Sequence, residues 1–541
     1  MKVHEAIAKA LAVRGAPLFG LIGDANLFMV DAYVRRFDGR YVSAASEAAA
    51  TLMALGWAQV AGGVGMATVT HGPALTNALT ALAEGVKARV PMVLLAGDTP
   101  VAARDHLQGI DQRALALATG AGFVQLRTPG TVEADLAEAF RVARRDWRPV
   151  VLNMPAEFMW QDAGPQAPAS DYLAPAAFVP AEGDELDKAV GILAAARAPI
   201  LLAGRGATGA AHRQAMLALA ERIGAPLATT LRGRNLFRGE PFDLGIFGTL
   251  STPPAMDAIG RADCVIAFGA SLNQFTTGQG ALLRGKRLVQ VDAHGPEIGA
   301  RRAPEAALLG DPAEVARLLI HWLDAAEIPA SGFRSDELGA SLSAWRPEPL
   351  GGPPPRAGAV DLRAALRALD AALPEDRVVV TDAGRFVGEA WRWFDVRHPR
   401  DFVYACGFGA IGLGLPEAIG AAVAAEGRTT VLVIGDGGFM LGGLGEFASA
   451  VRHGCDLVTI LCNDGGYGAE HVQFRDRDMD PGASLFDWPD FAPVAAALGG
   501  EGVTVRGPED LAMASEAIRR RRGPLLIDLK IDPERVPPVP H

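Results

Sequence analysis

Short apolar runs alternate with glycine turns and with helical segments rich in alanine and leucine along three stretches of this chain. A continuous apolar run predicts a strand that is buried on both faces, and neighbouring parallel strands need a helix to connect them. The first stretch contains predicted strands at Leu18–Ile22, Met66–Val69, Met92–Ala96 and Val150–Asn153. The alternation therefore predicts an α/β fold built from doubly wound parallel sheets.

The same pattern occurs twice more, and segments rich in proline separate the three stretches. The second stretch has predicted strands at Pro199–Ala203, Cys264–Phe268 and Arg287–Val291, and the third at Arg377–Thr381, Thr429–Ile434, Leu457–Leu461 and Leu525–Leu529. The segments near Asp162–Pro180 and Pro347–Arg356 are typical of linkers. We therefore expect three domains, at residues 1–165, 181–327 and 357–541.

Charge and cysteine content exclude several classes of function. The formal net charge of −11 argues against nucleic acid or an anionic membrane as the main partner, because binding phosphate groups requires a basic surface. The four cysteines form no Cys-x-x-Cys pair, so we expect free thiols and no thiolate metal site. Charged residues interrupt Met1–Gly20, and no apolar run is long enough to span a bilayer. We expect a cytoplasmic protein.

Two neighbouring predicted strands of the third stretch end in residues that suit a phosphate and a metal ion. The run Val431–Ile434 leads into Gly435-Asp436-Gly437-Gly438, and the next strand leads into Asn463-Asp464. Glycines let backbone N–H groups approach an anion, and parallel sheets bind ligands at the carboxyl ends of their strands. Carboxylate, amide and carbonyl oxygens are the ligands that Mg²⁺ prefers. We therefore predict a magnesium site formed by Asp436, by Asp464 or Asn463, and by a backbone carbonyl near Gly466.

These motifs resemble the signature of thiamine-diphosphate-dependent enzymes of the acetolactate synthase and pyruvate decarboxylase group, and the resemblance covers nearly the whole chain. It implies a pyrimidine-binding domain, a central domain and a pyrophosphate-binding domain, with thiamine diphosphate and Mg²⁺ as cofactors. The cofactor contacts that it assigns in the third domain are Gly384, Arg385, Gly435, Asp436, Gly437, Gly438, Asp464, Gly466, Tyr467 and Gly468.

The interval between the two metal-ligand positions departs from the family pattern. Asp464 follows Asp436 by 28 positions, which is one more than is usual in the family. Alignment from Tyr467-Gly468 and from Glu446 puts Asp464 at the ligand position and assigns the extra residue to Met440–Gly445. Asn463 remains the alternative ligand.

Glu47 lies where a predicted strand gives way to an alanine-rich helix. By itself, an acid in the first helical turn only complements the helix dipole. However, His71-Gly72-Pro73 and the Asn77 that follows resemble the start of a cofactor-binding helix in the same family. The resemblance therefore assigns Glu47 to N1′ of the aminopyrimidine, where a carboxyl group favours the imino form whose N4′ takes the proton from C2. The resulting ylid adds to a carbonyl and leads to an enamine.

The resemblance also assigns the bend of the cofactor and the assembly. Ile411 matches the aliphatic residue that wedges the cofactor into a bent shape, and the Gly409 carbonyl matches the partner of N4′. Relatives build each site from two subunits, so we expect a homodimer or a homotetramer.

The residues that select the substrate are a mixture of types. Asp24 and Glu470 resemble catalytic acids of pyruvate decarboxylases, whereas Gln108 resembles the glutamine of synthases and aldehyde lyases. His71 stands where serine is usual, and Ser46 stands where histidine is usual. The catalytic candidates are therefore Glu47, Asp24, Gln108, His71 and Glu470, and the substrate stays open.

The second stretch contains Gly204-Arg205-Gly206-Ala207-Thr208-Gly209 directly after a predicted strand. A nicotinamide site also needs an acid at the end of the next strand, and here Leu231 and Arg232 follow that strand instead. The segment Phe268–Phe275 lacks the Arg-Phe-Asp-Asp-Arg run that is associated with FAD. We therefore expect no FAD.

The leading hypothesis is a 2-oxo-acid decarboxylase or carboligase that resembles acetolactate synthase and acts on a small 2-oxo acid and a carbonyl acceptor. One alternative is a thiamine-diphosphate-dependent C–C hydrolase, acting on a cyclic diketone, or an aldehyde lyase. A more distant alternative is a non-catalytic nucleotide-binding protein. No nucleic acid or membrane partner is expected.

Overall fold

A computed structural model describes residues 1–103, 105–172, 182–346 and 354–535, and these contain three six-stranded sheets in which every pairing between strands is parallel. The strands are β1 Leu18–Gly20, β2 Tyr41–Ser43, β3 Gly65–Val69, β4 Met92–Asp98, β5 Gly122–Gln125, β6 Pro149–Pro155, β7 Pro199–Ala203, β8 Leu227–Thr229, β9 Asp243–Ile246, β10 Cys264–Phe268, β11 Arg287–Asp292, β12 Ala306–Leu309, β13 Arg377–Asp382, β14 Phe402–Ala405, β15 Thr429–Gly435, β16 Leu457–Asn463, β17 Glu501–Val505 and β18 Leu525–Lys530.

Helices connect the strands. They are α1 Val3–Val13, α2 Leu27–Phe37, α3 Glu47–Ala61, α4 Pro73–Asn77, α5 Leu79–Ala88, α6 Gln112–Ala118, α7 Val132–Asp146, α8 Asp184–Ala195, α9 Ala210–Ile223, α10 Pro253–Arg261, α11 Gln274–Thr277, α12 Pro312–Ala325, α13 Asp336–Ala344, α14 Leu362–Ala372, α15 Val387–Trp393, α16 Gly414–Ala424, α17 Asp436–Gly438, α18 Leu444–Arg452, α19 Gly468–Arg475, α20 Phe491–Ala497 and α21 Asp510–Arg520. A π-helical segment, Phe439–Gly443, joins α17 to α18.

The strand orders show which sheets are alike. The first sheet has the order β2-β1-β3-β4-β6-β5, and the third has the equivalent order β14-β13-β15-β16-β18-β17. The middle sheet, β12-β11-β10-β7-β8-β9, has the order of dinucleotide-binding folds. The predicted α/β class with three doubly wound parallel sheets is confirmed.

The inner strands were predicted well, and the strands that the sequence did not indicate are all edge strands. These are β5, β9, β12, β14 and β17. β17 carries no continuous apolar run and four of its five residues are only half-buried, whereas the four residues of β14 are apolar and mostly buried, so edge exposure explains β17 but not β14. The predicted strand Leu18–Ile22 is too long, because β1 ends at Gly20 and the Asn26 side chain takes the Leu21 carbonyl.

The chain divides into two compact units, one with the first and third sheets and one with the middle sheet. The two predicted linkers, Asp162–Pro180 and Pro347–Arg356, lie partly outside the described residues, as do positions 181 and 541, which bound two of the proposed domains. Within the part of the chain that the structure describes, no helix combines the length and apolar character needed to cross a membrane.

In the first unit, α3 and α16 cross at two glycines. A Cβ atom on Gly56 would overlap the carbonyl oxygen of Glu417, and one on Gly420 would overlap the carbonyl oxygen of Met53. Each contacted carbonyl lies three residues before the glycine of its own helix, so the contact is reciprocal. One apolar cluster, with residues such as Phe19 of the first sheet and Leu432 of the third, packs around this crossing.

We expect Gly420→Ala to lower the melting temperature of the first unit by about 5 °C or more, because the added methyl group forces the two helices apart. The measurement is differential scanning calorimetry. Gly191→Ala is the matched control, since Gly191 also lies inside a helix but has no neighbouring atom within 4 Å of the place that a methyl group would occupy. The control should keep or raise the melting temperature. Equal effects of the two substitutions would contradict a tight crossing.

Candidate active site

The candidate metal ligands lie at the carboxyl ends of two adjacent central strands. β15 ends at Gly435 and pairs with β16, which ends at Asn463. The buried Asp436 begins α17, and its Oδ2 atom accepts hydrogen bonds from the N–H groups of Gly465 and Gly466, each at 3.0 Å. Through these bonds, the Asp436 carboxylate links the end of β15 to the loop that follows β16.

Asp464 lies beside Asp436. Burial raises the pKa of the Asp464 carboxyl, and the negative charge of Asp436 raises it further by a smaller amount. Burial also raises the pKa of Asp436. The Asn463 Nδ2 atom donates to Asp528 at 2.9 Å. A buried carboxyl group, Asp436, beside a half-buried one, Asp464, that it repels suits a divalent cation, which offsets both charges.

The donor set fits Mg²⁺ bound together with a diphosphate. Among the described residues, no group of three or more His, Cys, Asp or Glu side chains is arranged to hold a metal ion. Asp436 and Asp464 would supply two ligands and a backbone carbonyl near Gly466 a third, so phosphate and water oxygens would complete an octahedron.

The glycines of this turn leave no space for side chains. A Cβ atom on Gly437 would lie 2.5 Å from the Tyr467 ring, and one on Gly438 would lie 2.9 Å from Asp382 Oδ2. The π-helical segment Phe439–Gly443 follows, and it overlaps Met440–Gly445, where the family pattern places the extra residue. A π-helical turn holds one residue more than an α-helical turn, so it can absorb an insertion while α18 keeps its position.

Arg385 is buried rather than exposed. Its guanidinium donates to the Pro533 carbonyl at 2.9 Å and to the Gly468 carbonyl at 3.4 Å, and it lies close enough to Asp464 to interact with its charge. The Arg385 side chain thus links the turn after β13 to the start of α19. Its positive charge partly balances the two carboxylates.

Gly409 and Ile411 lie in the loop that connects β14 to α16. Gly409 is exposed and Ile411 is half-buried, and both Gly409 and Gly412 have positive φ angles, of 77° and 85°. These conformations favour glycine and turn the chain sharply on each side of residues 410 and 411. The structure thus places the predicted wedge residue at the tip of a short loop.

Glu47 is the first residue of α3, and the Ser46 hydroxyl caps that helix by accepting the Ala49 N–H at 3.2 Å. The Asn77 side chain, from the end of α4, donates to Glu47 Oε2 at 3.1 Å. Glu47 and Asn77, both predicted as cofactor ligands, therefore form one hydrogen-bonded pair between two helices that flank the first sheet.

His71, which follows β3, and Gln108, which follows β4, lie near each other. The His71 ring is 6% exposed and packs edge-on against the His106 ring, with centroids 5.4 Å apart. The Gln108 N–H donates to His106 Nδ1 at 3.1 Å. Asp24 and Glu470, the two other catalytic candidates, are exposed. The structure thus brings together only part of the predicted substrate pocket.

Three buried polar residues near the site were missed by the sequence analysis as functional candidates. Asp382 ends β13, Glu84 lies inside α5, and Gln112 accepts the Gly72 N–H and donates to the Gly97 carbonyl. For Asp382 the signal was an acid at the end of a predicted strand. An acid or amide within an apolar helical segment marks the other two only weakly.

In the middle sheet, the glycine-rich loop after β7 donates hydrogen bonds to backbone carbonyl groups at the end of the neighbouring strand β10. The Gly204 N–H donates to the Phe268 carbonyl at 2.8 Å, and the Gly206 N–H donates to the Gly269 carbonyl at 3.1 Å. These two N–H groups are therefore already used within the protein, which agrees with a weak dinucleotide fingerprint.

Three family models match the chain. They are described as Thiamine pyrophosphate enzyme, N-terminal TPP binding domain, at residues 1–115, central domain, at residues 186–319, and C-terminal TPP binding domain, at residues 382–529. Curated relatives match over almost their whole length. A probable acetolactate synthase large subunit of Methanocaldococcus jannaschii is 27% identical over 100% of this chain and 94% of the relative.

Two other relatives have different names. A sulfoacetaldehyde acetyltransferase of Castellaniella defragrans is 28% identical over 95% of this chain and 90% of the relative. A probable 2-ketoarginine decarboxylase of Pseudomonas aeruginosa is 29% identical over 91% of this chain and 87% of the relative.

We expect Asp464→Ala to weaken Mn²⁺ binding, measured by electron paramagnetic resonance with a diphosphate ligand present, by more than about 100-fold, because the ion loses a charged ligand. Asn463→Ala should weaken it less than about tenfold, since its amide contacts Asp528. The reverse order of the two effects would make Asn463 the ligand.

Proposed function

This chain belongs to the thiamine pyrophosphate enzyme family, and on that premise we propose that it is a thiamine-diphosphate- and Mg²⁺-dependent 2-oxo-acid decarboxylase or carboligase. The family membership makes the chain an enzyme that forms or cleaves bonds next to a carbonyl carbon. The proposal adds the metal ion, the residues and the substrate class.

The observation that carries the proposal is the carboxyl pair at the ends of β15 and β16, in which Asp436 is buried and Asp464 is half-buried. This pair would hold Mg²⁺, and the glycines of α17 would bring backbone N–H groups to the diphosphate of the cofactor. Glu47 supports the same function, because it begins a helix and has a half-buried carboxyl group held by Asn77.

Bound thiamine diphosphate supplies an acidic thiazolium carbon and an electron sink. Glu47 would hold a proton at the N1′ atom of the aminopyrimidine, and the Asn77 amide would keep the carboxyl group in one orientation. The Gly409 carbonyl would accept a hydrogen bond from the amino group, and Ile411 would exclude water and bend the cofactor. Glu47 and Asn77 lie at helix ends, and Gly409 and Ile411 lie in the loop between β14 and α16.

The names of the relatives and the residues of the predicted pocket support the substrate class. The relatives are named as a synthase, an acetyltransferase and a 2-ketoarginine decarboxylase. We propose a small 2-oxo acid as donor, with His71, Gln108, Asp24 and Glu470 facing the donor or the acceptor.

The exposure of Asp24 and Glu470 supports a pocket that a second subunit completes, so we propose a homodimer or a homotetramer. We also propose three domains, at residues 1–165, 181–327 and 357–541, and a cytoplasmic location.

We expect pyruvate, followed by NMR, to disappear only when both thiamine diphosphate and Mg²⁺ are present. Acetolactate as product would identify a ligase, and acetaldehyde would identify a decarboxylase. Absence of thiamine diphosphate binding in the presence of Mg²⁺ would overturn the proposal. Cofactor binding without pyruvate turnover would replace pyruvate by another oxo acid as donor.

Glu47→Gln should slow turnover by at least about 100-fold while largely preserving cofactor affinity, because it removes the proton and not the diphosphate site. The measurements are turnover of the accepted oxo acid and isothermal titration with thiamine diphosphate. Glu133→Gln is the matched control, since Glu133 also lies in the first turn of a helix of the first sheet. Equal turnover in both variants would remove Glu47 from the reaction.

A further inference from the structure

We propose that two buried carboxylates, Glu84 and Asp382, clamp the two ends of the loop that presents Gly409 and Ile411, and thereby set the position of the cofactor's aminopyrimidine. This loop, which we call the apex loop, runs from Cys406 to Gly414. Both carboxylates act through the backbone of the loop, so they are positioning residues. The inference rests on the proposed function.

Glu84 holds the first end of the apex loop. Its side chain is fully buried in α5, and its two carboxylate oxygens accept the N–H groups of Gly407 at 2.7 Å and of Phe408 at 2.6 Å. A Cβ atom on Gly407 would lie 2.8 Å from Glu84 Oε1, so the glycine permits this approach. Each oxygen therefore fixes one of two successive peptide groups.

Asp382 holds the second end. It is fully buried at the end of β13, and its Oδ2 atom accepts the Gly412 N–H at 2.8 Å, while the N–H groups of Leu413 and Gly414 also interact with its carboxylate. Its other oxygen, Oδ1, accepts the Ala383 N–H at 2.7 Å. Asp382 thus joins the start of α16 to the turn that follows β13.

Only Gly409, Ala410 and Ile411 lie between the two clamped ends. Because a carboxylate bound to backbone N–H groups makes short, charge-assisted hydrogen bonds, each end has little freedom to shift. The second end also lies against α17, where we propose that the diphosphate binds, since a Cβ atom on Gly412 would lie 3.2 Å from the Gly438 carbonyl oxygen. The clamps therefore fix the apex relative to the proposed metal and diphosphate site.

The clamp also connects the two similar sheets of the first unit. Glu84 belongs to a helix of the first sheet, whereas the apex loop belongs to the third. An apolar side chain at position 84 would fill the helix interface without the cost of burying a charge. A carboxylate there instead fixes two specific peptide groups of the cofactor-facing loop.

The test is Glu84→Gln in the full-length protein. Glutamine keeps the size of the side chain, but its amide nitrogen cannot accept a hydrogen bond, so one of the two loop N–H groups loses its partner. In the protein without cofactor, hydrogen exchange of the peptide covering residues 402–414 should rise about tenfold at Gly407 and Phe408. Titration should show affinity for thiamine diphosphate about tenfold lower.

A third readout separates positioning from mere structural support. At saturating thiamine diphosphate and Mg²⁺, the exchange rate of the cofactor's C2 proton, followed by NMR, should fall in Glu84→Gln because the apex is displaced from the aminopyrimidine. Asp135→Asn is the matched control, since Asp135 is also a buried carboxylate that accepts a backbone N–H, from Arg127 at 3.0 Å. It should leave all three readouts unchanged.

Gly407→Ala tests the same contact from the loop if Glu84→Gln fails to fold, because the added methyl group pushes against Glu84 Oε1. Unchanged hydrogen exchange at residues 407 and 408, or a looser loop with unchanged C2 exchange, would overturn the clamp. If the wild-type protein binds no thiamine diphosphate, the proposed function fails, and hydrogen exchange alone still decides whether Glu84 holds the loop.

Discussion

The crossing of α3 and α16 is the constraint on which the geometry of the first unit depends. Gly56 and Gly420 let each helix contact a carbonyl oxygen of the other, and the two helices occupy equivalent places in two sheets of the same strand order. Glu47 and Ile411 each precede the crossing glycine of their segment by nine residues. Because packed helices behave as rigid rods, a shift at the crossing would displace the start of both helices. One close contact in the core therefore controls where a proposed catalytic acid and a proposed wedge residue lie.

Buried carboxylates organise the candidate site around this frame. Asp382 ends β13, and Asp436 directly follows the neighbouring strand β15. Each carboxylate accepts backbone N–H groups from the loop that follows an adjacent strand, β14 for Asp382 and β16 for Asp436. Burial raises the pKa of Asp382 to about 7, and the backbone N–H groups that donate to its carboxylate oppose that rise. Arg385 supplies a nearby positive charge, and a divalent cation would supply the rest. The same groups thus shape the loops and create the electrostatic demand for a metal ion.

The central strands and the residues at their ends could be predicted from the sequence, because a strand buried on both faces is a continuous apolar run and its end is marked by glycine and polar residues. Edge strands such as β17 could not be predicted, since their half-buried residues form no continuous apolar run. The resemblance assigned Arg385 to the cofactor, but only the structure shows that this residue is buried and donates to the Pro533 carbonyl, far along the chain. The hydrogen bond from the Asn463 amide also involves a distant residue, Asp528, which the sequence pattern does not indicate.

The sequence by itself determined the α/β class, the three sheets, the glycine turn before Asp436 and the acid at the start of α3, because each of these is a local pattern along the chain. The tertiary structure decided which polar residues meet. Glu84 lies more than 300 positions from Gly407, and no local pattern relates them. Such contacts depend on how two sheets pack, and that packing follows from the shape of the helix surfaces at Gly56 and Gly420 rather than from any short segment.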